Sequence, residues 1–329
     1  MIYIKRLKDT TKEEWSELRS RISKRILENF GESPFELKPS KNKFDVLEKY
    51  ENHGLKHIRI RYEVGGEFTS EAIIVLPENF NENKQYPAVV TIHGTNGIEG
   101  KYGMLDVEGV LPNREYGIEL AKRGYVTISP DQYGYGTYMK DPSYADDYEN
   151  FYQRYPKWSL TSIRLLFHIR CVDVLMQLDY IKKDAIGAMG NSLGGCASMY
   201  LTAMDERIQA SVLSTALCPC VTNIYRTEPR KPQLDPYQIK SMMEDGIPPW
   251  DHNDILALCA PRAIMCIEPF NDPYNPYIMT TIDCVYKAWK VYNLLGEPQK
   301  LSLHVHGDGH DTVPTVKEMA YNWLDRFLK

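Results

Sequence analysis

The alternation of apolar and polar positions changes character near residue 57. Before it, polar residues dominate and one amphipathic stretch stands out. Thr11 followed by Glu14 fits a capping box, and Trp15, Leu18, Ile22 and Ile26 then recur at helical spacing. Residues 1–56 therefore read as an N-terminal helical extension that lays its apolar stripe on a larger body. From residue 57 the chain breaks into short apolar runs separated by turns. HIRIRYEV and SEAIIVLP alternate like antiparallel strands around the EVGGEF glycines.

YPAVVTIHG, GYVTISPD, AIGAMGNS, ASVLSTA, PRAIMCIE and LSLHVH are continuous apolar runs, the pattern of strands covered on both faces. Between them NREYGIELAKRG, SIRLLFHIRCVDVLMQLDYI, LGGCASMYLTAM, TIDCVYKAWKVYNLL and TVKEMAYNWLDRFLK carry helical periodicity. Strands alternating with helices predict an α/β domain over residues 57–329, with a mostly parallel central sheet and helices on both faces. In such sheets a ligand sits beyond the carboxyl ends of the strands, which is where chemistry has to be sought.

The composition narrows the classes. The 329 residues carry a net charge of −5, which argues against a nucleic-acid surface. No apolar stretch approaches a membrane span, and MIYIKRLKDTTKEEW lacks the apolar core of a secretory signal, so a cytoplasmic protein is expected. The seven cysteines are scattered in apolar runs, which reads as reduced core thiols. Cys218 and Cys220 form a lone C-x-C without a second pair at ligand spacing, so no metal and no cofactor is expected. The 23 tyrosines against 9 phenylalanines are unusual, because a buried phenol needs a partner for its hydroxyl.

Gly190-Asn191-Ser192-Leu193-Gly194 is a G-x-S-x-G pattern placed between the strand AIGAM and the helix LGGCASMYLTAM. A sharp strand-to-helix turn needs small neighbours, and it lifts a serine hydroxyl clear above a helix N-terminus. A serine becomes nucleophilic only beside a base. Of the eight histidines, His310 lies in the glycine-flanked HGDGHDT loop after the last apolar strand, whereas His304 and His306 alternate within that strand. The imidazole needs a carboxylate to set its tautomer. Asp272, in the PFNDPYNP loop, is favoured over Glu268, which is still on the strand and points wherever the pleat dictates.

An oxyanion would be held by the amide of Leu193, directly after the nucleophile, and by that of Thr95 in the His93-Gly94-Thr95-Asn96-Gly97 turn. Asp131 precedes the serine in the chain and reads as a loop-fixing residue. The chain order Ser192, Asp272, His310 is the order used on α/β-hydrolase sheets.

The segments HGTNG, DQYGYG, GNSLGG, LALCAPRAIMCIEPFNDP and GDGH together resemble the α/β-hydrolase superfamily, within it the dienelactone hydrolase-like and acetyl xylan esterase-like branch. The LENFGESPF segment resembles the N-terminal extension of those esterases. The resemblance covers most of the chain, implies the α/β-hydrolase fold, and is specific for Ser192 and His310 as triad serine and histidine. Two departures stand out: Glu268 occupies a position where such sequences often carry a small residue, which leaves the acid open between Asp272 and Glu268, and the insert at 217–251 is longer than a minimal connection and matches no recognised segment. Dienelactone hydrolases use a cysteine nucleophile, so Ser192 points to carboxylic ester hydrolysis instead.

Between residues 133 and 158 the chain carries Tyr133, Tyr135, Tyr138, Tyr144, Tyr148, Tyr152 and Tyr155 beyond a strand end. Tyr133, Tyr135 and Tyr138 are the expected substrate contacts, for a sugar or another small amphipathic ester. The competing reading of this lid-like segment is a cover packed on the body or a contact between copies in a homo-oligomer. The leading function is a serine hydrolase acting on a small ester through an acyl-enzyme. A peptidase of the prolyl oligopeptidase type and a non-catalytic binding protein of the same fold are the alternatives.

Overall fold

In the computed structural model, which describes residues 11–30, 34–40, 43–95, 97–105, 113–138, 151–219 and 250–329, the amphipathic stretch near the start forms helix α1 (Lys12–Asn29). Its capping box is complete: the Thr11 hydroxyl accepts from the Glu14 amide and the Glu14 carboxylate accepts from the Thr11 amide. Trp15, Ile22 and Ile26 are buried on its inner stripe.

Strands β1 (Phe44–Asn52), β2 (Leu55–Gly65) and β3 (Phe68–Val75) follow as an antiparallel meander. Then come β4 (Tyr86–Ile92), α2 (Tyr116–Lys122), β5 (Val126–Pro130), α3 (Leu160–Gln177) and β6 (Ile181–Asn191). The chain continues through α4 (Leu193–Met204), β7 (Ile208–Ser214), α5 (His252–Cys259), β8 (Ala263–Pro269), α6 (Ile278–Leu295), β9 (Leu301–His306) and α7 (Pro314–Leu328). The strands form one sheet in the order β1-β2-β3-β5-β4-β6-β7-β8-β9, parallel from β5 onward.

Successive side chains on a strand point to opposite faces, and here both faces are covered. Val90, Leu213 and Cys266 join one core with α1, α3, α4, α5 and α6, whereas their neighbours Val89, Val212 and Ile267 join another with α2 and α7. This is why the central strands read as unbroken apolar runs. Each fully buried aliphatic side chain of this kind contributes roughly 1.5–3 kcal/mol. No helix among the described residues is long and apolar enough to cross a membrane.

The N-terminal segment departs from the expectation of a helical extension over 1–56. Its last part is strand β1, paired with β2 from Phe44↔Tyr62 to Asn52↔Leu55, so the sheet begins at Phe44. A register shift between Val46 and Glu48 and the largely exposed side chains of this edge strand remove the alternation that would have revealed it. Helix α5 was also not anticipated.

Residues 139–150 of the aromatic segment, with Tyr144 and Tyr148, and residues 220–249 of the 217–251 insert lie outside the described residues. Because β4, β5, β6, β8 and β9 are parallel, the segments that follow them, carrying His93, Asp131, Ser192, Asp272 and His310, leave the sheet at one edge.

Candidate active site

Ser192 joins β6 to α4 with φ 56° and ψ −122°, a conformation that non-glycine residues rarely adopt and that costs on the order of 1–3 kcal/mol. The packing around it enforces the turn. A Cβ added at Gly194 would lie 2.0 Å from the Ile92 carbonyl oxygen, and one at Gly190 would lie 2.3 Å from the Gly194 carbonyl carbon. The small residues of G-x-S-x-G are thus dictated by the close passage of α4 over β4. The Ser192 amide donates to the Ser214 carbonyl at 2.8 Å and to the Thr215 hydroxyl at 3.2 Å. The serine is half-buried.

Leu193 is the first residue of α4, so its amide has no carbonyl to pair with inside the helix. The turn after β4 comes close to the serine: a Cβ on Gly94 would lie 3.7 Å from the Ser192 Cβ. Thr95 follows Gly94 and is exposed. His93, which starts this turn, is buried, and the Gln132 amide donates to its carbonyl at 2.7 Å.

His310 Nδ1 lies 2.7 Å from Asp272 Oδ2. The other Asp272 oxygen accepts from the Tyr274 amide at 2.7 Å and the Asn275 amide at 3.3 Å. Burial alone would raise the Asp272 carboxyl, but the His310 hydrogen bond and charge and the two amides outweigh it. Its pKa falls below the ordinary carboxylate value. With Nδ1–H donating to Asp272, the Nε2 of a neutral ring is left as the basic nitrogen.

Glu268, the competing acid, faces elsewhere. Its Oε1 accepts from the Ala216 and Leu217 amides, both at 2.9 Å, and so ties the end of β8 to the segment after β7. Burial raises its pKa to about 8 against the lowering effect of those amides, with the Asp272 charge adding to the rise. Between about pH 4.5 and 8 the folded protein therefore holds a proton that the unfolded chain releases, and stability falls as pH rises through that window. Glu268→Gln should remove this slope, gaining on the order of a few kcal/mol over the parent at pH 9 relative to pH 5. Urea unfolding at the two pH values checks it, and identical slopes in both proteins would refute it.

The histidine loop is held by residues that the sequence reading passed over. Arg114 sits just before α2 and donates to the His310 carbonyl at 3.1 Å and to Asp311 Oδ1 at 2.8 Å, while Asn113 donates to Asp311 Oδ2 at 2.8 Å. Thr312 is wholly buried; its hydroxyl meets those of Tyr116 and Ser214, each at 2.7 Å, and the Asn191 amide at 3.4 Å. A single hydroxyl thus ties the His310 loop to the residue before Ser192 and to the end of β7. No motif announces Arg114, which meets His310 across 196 positions of chain. Arg114→Ala should lower kcat roughly 10- to 100-fold through misplacement of the imidazole. Its KM should move much less, and Arg114→Lys should recover part of the loss. Steady-state kinetics on one ester tests this; a pure KM effect would contradict it.

The tyrosines expected to contact substrate pack largely against other side chains. Tyr135 is 1% exposed, with its ring against His93 at 5.4 Å and the Arg164 guanidinium over it at 5.2 Å. Tyr133 packs among Phe68, Phe151 and Phe167, and Tyr138 packs on Phe167 at 5.4 Å while its hydroxyl accepts from the Thr69 amide at 3.0 Å. Covering the apolar surface of Phe68 and Phe167 buries these rings, and an edge of the sheet supplies a partner for a phenol. The segment's described part is a cover packed on the body, which was the competing reading.

Asp131 does fix loops, as expected. It is fully buried and accepts from the Lys101 amide and ammonium, both at 2.8 Å, and from the Thr137 amide and hydroxyl at 3.1 and 3.0 Å. It thereby joins the segment after β4 to the segment after β5. A Cβ on Gly136 would lie 2.1 Å from its carboxylate, which explains that glycine.

Known proteins share this fold. YtaP of Bacillus subtilis is 24% identical over 253 residues, covering 74% of this chain and 79% of its own. The Bacteroides fragilis protein BF1801, assigned as an acetyl xylan esterase, superposes with a TM-score of 0.70 at 19% identity, covering 91% of this chain and 77% of its own. A glucuronoyl esterase from Solibacter usitatus gives a TM-score of 0.70 at 15% identity, covering 96% and 93%. The sheet order, the turn at Ser192 and these likenesses all describe an α/β-hydrolase fold. With residues 5–309 matching its pattern, the chain belongs to the Abhydrolase family.

Proposed function

We propose that this protein is a serine hydrolase of carboxylic esters, with Ser192, Asp272 and His310 as its catalytic triad. The observation that carries the reading is the Asp272–His310 pair at 2.7 Å, on the sheet edge where the strained Ser192 turn also emerges. Ser192 Oγ attacks the ester carbonyl as His310 Nε2 takes its proton. The Leu193 and Thr95 amides receive the oxyanion that develops on the carbonyl oxygen. Collapse expels the alcohol, which His310 protonates, and leaves an acyl-enzyme. A water molecule then attacks with His310 again as base, releasing the acid and restoring Ser192.

The substrate class is a small ester, with acetyl esters of sugars foremost. The similar solved proteins are esterases by name, and BF1801 is assigned to acetylated xylan. Two measurements test the proposal. A fluorophosphonate probe should label Ser192, and the protein should release acid from a panel of esters of graded acyl length. Turnover of peptides but not esters would favour a peptidase. Absence of both labelling and turnover would favour a binding protein.

A further inference from the structure

The large apolar side chains exposed among the described residues are not evenly spread. Phe270, Tyr274, Tyr277 and Met279, exposed by 66, 48, 43 and 69%, fall within one stretch from the end of β8 to the start of α6. This is the segment that carries Asp272. Isolated exposed apolar residues are ordinary on a protein surface, whereas a concentration of them marks a place where something binds. The Tyr274 ring stands edge-on to the His310 imidazole, with centroids 4.6 Å apart.

In ester hydrolysis the leaving oxygen must come within hydrogen-bond reach of the histidine that protonates it. The acyl oxygen is drawn the other way, toward the Leu193 amide at the start of α4. A ring in contact with the imidazole therefore meets the alcohol side of the substrate. Tyrosine offers an apolar face with a polar rim, and it loses little conformational freedom when it binds.

We propose that Tyr274 forms the alcohol subsite and makes the enzyme favour esters whose leaving alcohol is a ring with an apolar face and a hydroxyl rim, such as a sugar. The inference rests on the ester-hydrolase reading above. It replaces Tyr133, Tyr135 and Tyr138 as the origin of substrate preference. The contact that orients Asp272 comes from the Tyr274 backbone amide, so substitution of the ring leaves that hydrogen bond available.

The experiment compares acid release from xylose tetraacetate and from ethyl acetate by the full chain and its Tyr274→Ala and Tyr274→Phe variants. Tyr274→Ala should lose about tenfold more kcat/KM on the sugar acetate than on ethyl acetate, mostly through KM, the size expected for one aromatic contact. Tyr274→Phe keeps the ring face and should retain most of the discrimination. Equal losses on both esters would overturn the subsite, because they would mean that the ring only steadies His310. Should Tyr274→Ala not fold, Tyr274→Leu serves, since it keeps bulk but not the flat face. Turnover of both esters by the parent with unchanged discrimination in the variants defeats the subsite alone. Failure of the parent on both esters, without fluorophosphonate labelling, defeats the hydrolase reading and the subsite with it.

Discussion

Ser192→Ala should lower kcat for ester hydrolysis by roughly 10⁶-fold, because a residue acting as part of a triad carries nearly the whole effect when it is removed. The loss should fall on kcat, with KM little changed, since the hydroxyl acts in bond making and not in holding the ester. Alanine keeps the strained backbone at φ 56°, so the variant should fold as the parent does. Ser192→Gly should be just as inactive and more stable by about 1 kcal/mol, since glycine occupies that conformation without strain. Burst kinetics with p-nitrophenyl acetate, together with urea unfolding of the three proteins, checks both statements. Full activity in Ser192→Ala would remove the serine from the mechanism altogether.

Asp272→Asn should cost about 10⁴-fold in kcat at neutral pH. The carboxylate accepts from His310 Nδ1 and from the Tyr274 and Asn275 amides. An asparagine placing its amide group toward the ring would favour the tautomer with the proton on Nε2, which cannot accept the serine proton. The pKa of Asp272 lies below the ordinary carboxylate value, so it stays charged down to acid pH. Activity should therefore not be lost through Asp272 until the pH falls below the usual carboxylate range. Glu268→Gln is the counterpart: it should change the pH dependence of stability while sparing kcat. A pH–rate profile of the two variants beside the parent separates the roles. A 10⁴-fold loss in Glu268→Gln with a mild effect in Asp272→Asn would reverse the assignment of the acid.

The parts of the fold legible in the sequence are those where one local rule dominates. The capping box of α1 and the covered parallel strands each follow from the residues within a few positions. Gly190, Ser192 and Gly194 were legible too, because a strand-to-helix turn this tight admits few side chains. Strand β1 was not, since an exposed edge with a register shift near Val46 has no clean alternation to read.

The packing of the aromatic segment was not legible for a related reason. Tyr133, Tyr135 and Tyr138 stand beyond a strand end, and position along the chain does not say whether a ring turns toward solvent or folds back. The partners that draw them inward, Phe68, Phe167 and Thr69, come from other elements of the chain.

The chain alone determined the class of fold and the glycines that allow Ser192 its turn, and it supplied Ser192, Asp272 and His310 as the candidate triad in chain order. Tertiary structure pairs Asp272, in the loop beyond β8, with His310, while Glu268, still on the strand, turns to the Ala216 and Leu217 amides. It also brings Arg114 to the His310 carbonyl from far along the chain, lets Thr312 tie the His310 loop to Asn191 and Ser214, and packs Tyr133 and Tyr138 on Phe167. Each of these depends on which side chains meet across long stretches of chain, and such meetings are set by how the strands and helices pack.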